Sequence, residues 1–316
     1  MNIIDLFSQN KLIQDWQAHV SQLERQLIMG LSGSSRALAI ASAYQANKGK
    51  YVVITSTQNE VEKLASDLSS LIGEEQVYTF FADDVAAAEF IFSSMDKVNS
   101  RLGSLNFLQN AEQTGVLVTS LMGTRVLLPN PATYAHNQLH FELGHSYELD
   151  DVVKTLALLG YQRANQVLNP GEFSQRGDII DIYEITADRP YRLEFFGDEI
   201  DGIRQFEVSS QKSVDTLSHV TIFPADDLLL YEADFARATK SLEKYLETAK
   251  EEQHAYLSEV YESTKAGYKH ADIRRFASIF YAKEWTLLDY IPKETPVFFD
   301  DFQKVIDRNA KVDLEV

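Results

Sequence analysis

The chain has 316 residues, room for two or three compact units, and its 45% hydrophobic and 24% charged composition suits ordinary globular domains. Its 47 acidic against 29 basic residues give a net charge of −18, which makes it a poor general binder of phosphate backbones, and no run of Lys and Arg builds a basic strip. With no cysteine, disulfides and thiolate metal sites are excluded, as a reducing cytoplasm would favour; no apolar run reaches the length of a membrane span.

The opening residues, MNIIDLFSQNKLIQDW, mix acids and amides with apolar side chains, which reads as an amphipathic helix and not a signal peptide. Residues 26–29 form a short apolar strand candidate, followed by a Gly/Ser-rich turn and an Ala/Leu-rich helix over 36–45. Residues 51–55 (YVVIT) read as a buried strand. Residues 59–71 read as a helix with Val61, Leu64, Leu68 and Leu71 on one face. A strand is expected at 77–81, a long helix at 88–108 and a strand at 115–119 (GVLVT). Apolar strands alternating with helices imply a parallel sheet covered on both faces.

The pattern breaks at Leu128-Pro129-Asn130-Pro131, where two prolines mark a linker. A strand is expected around 138–141 and a helix at 149–159, and short strands joined by hairpins then give an α+β unit. After about residue 224 the chain returns to helix, clearest at 233–250, and ends on a strand at 295–299 and a short helix at 303–308. The simplest organisation is a parallel-sheet α/β domain in two pieces, 1–131 and 225–316, interrupted by an inserted α+β domain at 132–224.

Between the first strand candidate and the next helix, Gly30-Leu31-Ser32-Gly33-Ser34-Ser35-Arg36-Ala37 sits where a phosphate loop belongs. A working loop reads GxxxxGK(S/T): backbone amides cradle phosphates, the Lys reaches the terminal phosphates and the hydroxyl holds Mg²⁺. Here Ser35 stands for the second glycine, Arg36 for the Lys and Ala37 for the hydroxyl residue. A Cβ crowds that turn, a planar guanidinium does not replace an ammonium point charge, and Ala37 has no ligand to offer. Gly30, Gly33, Ser35 and Arg36 are therefore vestigial, with anion binding at the helix N-terminus left open and hydrolysis not expected. The second half of such a site is an apolar strand ending in acids, and Val297-Phe298-Phe299-Asp300-Asp301 has that form. Acid pairs after strands also serve as plain turn chemistry, the expected role of Asp83-Asp84 and Asp226-Asp227.

None of the seven histidines falls in a metal-binding motif; His136 and His140 are four apart, but Pro129, Pro131 and Asn137 argue against a helix there. No serine lies in a Gly-x-Ser-x-Gly elbow. No catalytic residue, metal site or cofactor is expected.

The most informative segment is 171–213, GEFSQRGDIIDIYEITADRPYRLEFFGDEIDGIRQFEVSSQKS. Gly197-Asp198 is a two-residue hairpin turn and Gly202 a bulge candidate in the returning strand. In Tyr191-Arg192-Leu193-Glu194-Phe195-Phe196, alternation puts Leu193 and Phe195 on one face and Arg192, Glu194 and Phe196 on the polar face. A large aromatic beside an Arg on a solvent-facing strand has the composition of a binding hot spot. The other reading has Phe196 covered by the same chain and Arg192 paired with Glu194 or a nearby acid.

This segment closely resembles the UvrB-homology region of the transcription-repair coupling factors, a pattern shared with the excision-repair protein UvrB. Residues 95–102 (MDKVNSRL) and 286–292 (TLLDYIP) resemble the same proteins, which carry Asp-Glu where Asp300-Asp301 stand here. The resemblance covers essentially all of these residues but only the N-terminal third of the family's proteins; it implies a degenerate RecA-like, P-loop-type domain with an inserted UvrA-binding domain. It implies further that Arg176, Arg192 and Phe196 contact UvrA, and that the module recruits UvrA to stalled RNA polymerase in nucleotide excision repair without an ATPase of its own. By the same resemblance, the polymerase-interacting and DNA-translocase regions that follow in the family, and the C-terminal region that masks the UvrA-binding surface, are expected to lie outside these residues. Two other classes remain: a UvrB-like ATP-dependent enzyme acting on damaged DNA, which a Lys in the loop and an aromatic hairpin would support, and an acidic scaffold or DNA mimic.

Overall fold

The computed structural model describes residues 2–20, 22, 24–82 and 95–315. Among them the strands are β1 (Lys50–Thr55), β2 (Val77–Phe80), β3 (Gly115–Ser120), β4 (Leu139–Glu142), β5 (Gln162–Arg163), β6 (Glu172–Arg176), β7 (Ile179–Ile182), β8 (Tyr191–Phe196), β9 (Glu199–Phe206), β10 (Ser213–Leu217), β11 (His219–Ile222) and β12 (Val297–Phe299). The protein is α/β and divides into two compact units: Met1–Asp83, Gly103–Val126 and Thr286–Val316 form one, Asp84–Leu102 and Leu127–Trp285 the other. Residues 225–285 thus group with the strand-rich unit, and the return to the parallel-sheet unit comes at Thr286.

The first unit holds a four-stranded parallel sheet in the order β12-β1-β3-β2. Every residue of β3 and all but the first of β1 are buried, as a parallel sheet covered on both faces requires. Val53, Val116 and Val118 pack against Ala37, Ala41 and Tyr44 of helix Ser35–Ala46 and Val61, Leu64 and Leu68 of helix Gln58–Ile72. The latter helix is set by its sequence: the Thr57 hydroxyl accepts from the Glu60 amide, apolar residues recur every three to four positions, and Gly73, at φ +99°, ends it. Phe298 of β12 stacks on Tyr51, ring centroids 5.9 Å apart, and touches Trp16 of helix Lys11–Val20.

The strand expected at 26–29 does not form. Residues 24–30 are exposed, with Leu27 and Met29 at 77% and 82%, so no strand leads into the glycine turn. The first part of the helix expected at 88–108 and the acids Asp83-Asp84 lie outside the described residues; the described helix is Met95–Gln109. The helix placed at 303–308 is longer, Phe302–Glu315.

The second unit is built on a six-stranded sheet in the order β10-β9-β8-β7-β6-β5, antiparallel except for β5 with β6, and a separate antiparallel pair β11-β4. Leu193, Ile180, Ile203 and Phe173 form its buried face. A helical hairpin, Glu232–Thr248 and Glu251–Lys265, follows, and Leu228, Leu230, Ala238, Ile273 and Phe280 make a second cluster. The second helix of that hairpin was not foreseen from sequence. The Leu128–Pro131 segment is not a bare linker: Leu128 pairs with Trp285, and Pro131 opens helix Pro131–His136, with the Asn130 side chain accepting from the Ala132 amide at 2.9 Å.

Asp226 and Asp227 divide the role expected of both. Asp226 closes a turn by accepting from the Leu228 amide at 2.9 Å. Asp227 instead is fully buried and accepts from Arg101 and Arg274, Arg101 being fully buried as well. Burial pushes its carboxyl up, but the Arg274 and Arg101 guanidinium groups outweigh this and hold it well below the usual carboxylate range.

Candidate partner-binding face and glycine turn

The glycine turn before helix Ser35–Ala46 has folded in on itself. Gly30 and Gly33 take positive φ, +87° and +56°, which glycine permits. The Ser35 hydroxyl accepts from the Ser32 amide at 2.8 Å and donates to the Ser32 carbonyl at 2.7 Å, so the position of the second motif glycine now closes the turn. Arg36, in the Lys position, donates to Asp300 at 2.6 Å; Asp300 follows β12 and is nearly buried. Burial pushes the Asp300 carboxyl up, against the pull of Arg36. Asp301, at φ +56°, bonds Lys304 at 2.8 Å. The depression lined by Gly33, Arg36, Glu60, Lys63, Leu64 and Asp67 measures about 10 Å³, room for roughly one water. The sequence motif's residues are thus brought together, but onto each other.

The histidines do not assemble. His136 ends its helix, His140 bonds the Thr221 hydroxyl at 3.0 Å from β4, and His145 pairs with Glu142 at 3.4 Å on the surface. Among the described residues no group of three His, Asp or Glu could hold a metal ion, and no helix is long and apolar enough to cross a membrane.

The second unit's sheet brings the residues expected at a partner contact onto one face. The strands β8 and β9 join through Gly197, at φ +64°, with Phe196 opposite Glu199. The register shifts between Glu194 and Phe195: Phe195 pairs with Ile200, Glu194 with Gly202, leaving Asp201 as the extra residue. Cross-strand partners share a face, so the row Ser174, Asp181, Arg192, Arg204 and the row Arg176, Ile179, Glu194, Gly202 lie on the side that Phe196 occupies. Leu193 and Phe195 point the other way and are buried.

Phe196 is 83% exposed, the most exposed of the large apolar side chains described, so it is not core. Arg176 is half exposed, at 52% of its side chain. Arg192 is 15% exposed and held on every side. Its Nε and Nη2 donate to the two oxygens of Asp181 at 2.6 and 2.8 Å, its Nη1 reaches the Gln211 carbonyl at 3.5 Å, and its guanidinium lies 4.6 Å from the Phe206 ring centre. The Asp181 bond raises the Arg192 pKa further. Asp181, 1% exposed, also accepts from Arg176 Nη2 at 2.7 Å. Of the acids near it, Arg192 takes Asp181, one strand away, and not Glu194, which pairs with Arg204 at 3.2 Å.

Two residues of this face were missed. Arg204 is 44% exposed and sits directly opposite Arg192. Without the bulge it would face Tyr191 on the apolar side; the signal was Gly202, whose absent Cβ leaves room for the Glu194 carboxylate, 2.7 Å from where that atom would stand. Asp181 lies between Ile180 and Ile182, and alternation sets it opposite them; its burial comes from the two arginines over it.

Comparison with known proteins agrees with the sequence resemblance. Residues 139–228 match the family of the UvrB interaction domain, a span that contains the six-stranded sheet. The chain is similar to the transcription-repair-coupling factor of Bacillus subtilis, 30% identical over 302 residues that make up 93% of this chain and 26% of that protein. The transcription-repair-coupling factors of Staphylococcus epidermidis and Staphylococcus aureus are each 29% identical over 301 residues, covering 93% and 92% of this chain. The chain spans about a quarter of the length of these relatives.

Proposed function

We propose that this chain is a UvrB-like docking module that recruits UvrA to stalled RNA polymerase in transcription-coupled nucleotide excision repair, in the cytoplasm, with no ATPase and no DNA binding of its own. The observation that carries the reading is Phe196, 83% exposed at a hairpin tip on the face that bears Arg176. An exposed aromatic on a face that also carries arginines has the composition of a protein contact's anchor and charged rim. On this reading the 132–224 region is the UvrA-binding domain, and Arg176, Arg192 and Phe196 form its contact.

The remainder belongs to the same proposal as a degenerate RecA-like domain. Its support is the alternating parallel sheet with a glycine turn before a helix and acids after β12; the closed turn and the Arg36–Asp300 pair favour a site that has lost its nucleotide. Contact with RNA polymerase, and masking of the Phe196 face by a C-terminal region, are assigned to parts of a longer protein. The test is a binding titration of this chain against UvrA, with RNA polymerase as the control. Binding of UvrA but not polymerase supports the reading; no binding of UvrA at micromolar concentration refutes it.

A further inference from the structure

Three arrangements stand out beyond the proposed contact itself. The apolar rim at Phe299, Phe302 and Ile306 has nothing that says what covers it, and the buried Arg101–Asp227–Arg274 cluster explains itself as a structural pin. The third is the pair of arginines over Asp181, which carries an inference.

Asp181 is nearly inaccessible, at 1% exposure, so it cannot itself meet a partner. Yet it accepts from two side chains of the Phe196 face, taking both forks of Arg192 and one nitrogen of Arg176. Arg192 is fixed in addition by the Phe206 ring and the Gln211 carbonyl. Gln211 holds a positive φ, +57°, costly for a residue with a Cβ, and its side chain donates to the Val208 carbonyl at 2.8 Å. The strained turn therefore keeps a carbonyl aimed at this guanidinium. A long arginine on a strand is otherwise free to sample many rotamers, and ordering it on binding costs affinity. One buried carboxylate that grips two guanidinium groups removes part of that cost beforehand.

We propose that Asp181 is a positioning residue for the UvrA contact: it pre-orders Arg176 and Arg192 so that their outward edges present a fixed, paired donor array to carboxylates on the partner, beside the Phe196 anchor. This rests on the proposed docking function. Arg176, the more exposed of the two, makes the more direct contact. Arg192 acts largely through the shared carboxylate.

The test is a set of affinities for UvrA measured with the whole chain. Asp181→Asn keeps an acceptor but loses the charge and sets an amide donor against the guanidinium groups; it weakens UvrA binding about tenfold. In the Arg176→Ala background the same substitution costs less than threefold, since the residue it orients is gone. The Nε proton of Arg192, which donates to Asp181, loses its protection in Asp181→Asn when followed by NMR in the free chain. Should that variant fail to fold, Asp181→Glu keeps the charge but moves the carboxylate by one methylene; it weakens UvrA binding in the wild-type background and costs at least threefold less in the Arg176→Ala background. Equal UvrA affinity for wild type and folded Asp181→Asn, or additive costs in both cycles, overturns the inference while leaving the docking function standing. No UvrA binding by wild type overturns the docking function and the inference with it.

Discussion

Arg36 donates to Asp300 at 2.6 Å across the end of the parallel sheet, joining the residue in the phosphate-loop Lys position to the acid that follows β12. The two groups neutralise each other directly, with Ser35 closing the turn beside them. Ligands of open α/β sheets bind at the carboxyl ends of the strands, which is where this ion pair sits.

Calorimetry with ATP and Mg²⁺ is therefore expected to give no micromolar binding. A weak signal with phosphate that is indifferent to Mg²⁺ is compatible, because a helix N-terminus attracts anions through its dipole. A micromolar, Mg²⁺-dependent isotherm refutes the expectation and favours the enzyme reading.

Phe196→Ala is expected to weaken UvrA binding about thirtyfold, roughly the 2 kcal/mol of a hot-spot truncation. At 83% exposure it has little packing to lose, so the melting curve shifts by less than about 0.5 kcal/mol. A large loss of stability with unchanged UvrA affinity would falsify the anchor assignment.

Asp227→Asn is expected to destabilise the chain by about 3–5 kcal/mol at neutral pH, because it leaves Arg101 buried without its carboxylate. The pH dependence has a definite sign. A carboxyl held below its unfolded value contributes stability that is present above about pH 4 and is lost as the pH falls below it. Thermal melts from pH 7 to pH 3 should show the gap between wild type and variant narrowing only in the acid range. A gap that stays constant to pH 3 contradicts the ion-pair role.

Duplex DNA is expected not to bind at physiological salt, given 47 acids against 29 bases. A shift in gel mobility at submicromolar protein in that salt would contradict it, and steep weakening with added salt would then identify a basic strip.

The sequence by itself determined the local elements and the lack of a Lys in the glycine turn. Buried runs such as Tyr51–Thr55, the three-to-four spacing of Val61, Leu64 and Leu68, and the Gly197 turn each follow from residues close in the chain. So does the prominence of Phe196, since alternation needs only its own strand. Tertiary structure decided what depends on distant partners. Residues 26–29 are as apolar as a strand, yet no place in the sheet receives them, because its order β12-β1-β3-β2 is fixed by other pairings. Which acid Arg192 takes was settled by the β7–β8 pairing, which sets Asp181 opposite it. Arg204 joined the face because one extra residue, Asp201, shifts the register of β9. Asp227 looked like turn chemistry until Arg101 and Arg274, 126 and 47 residues away, closed on it. Hydrogen-bonded ion pairs need geometry accurate to a fraction of an ångström, and a linear pattern carries the residue types without that geometry.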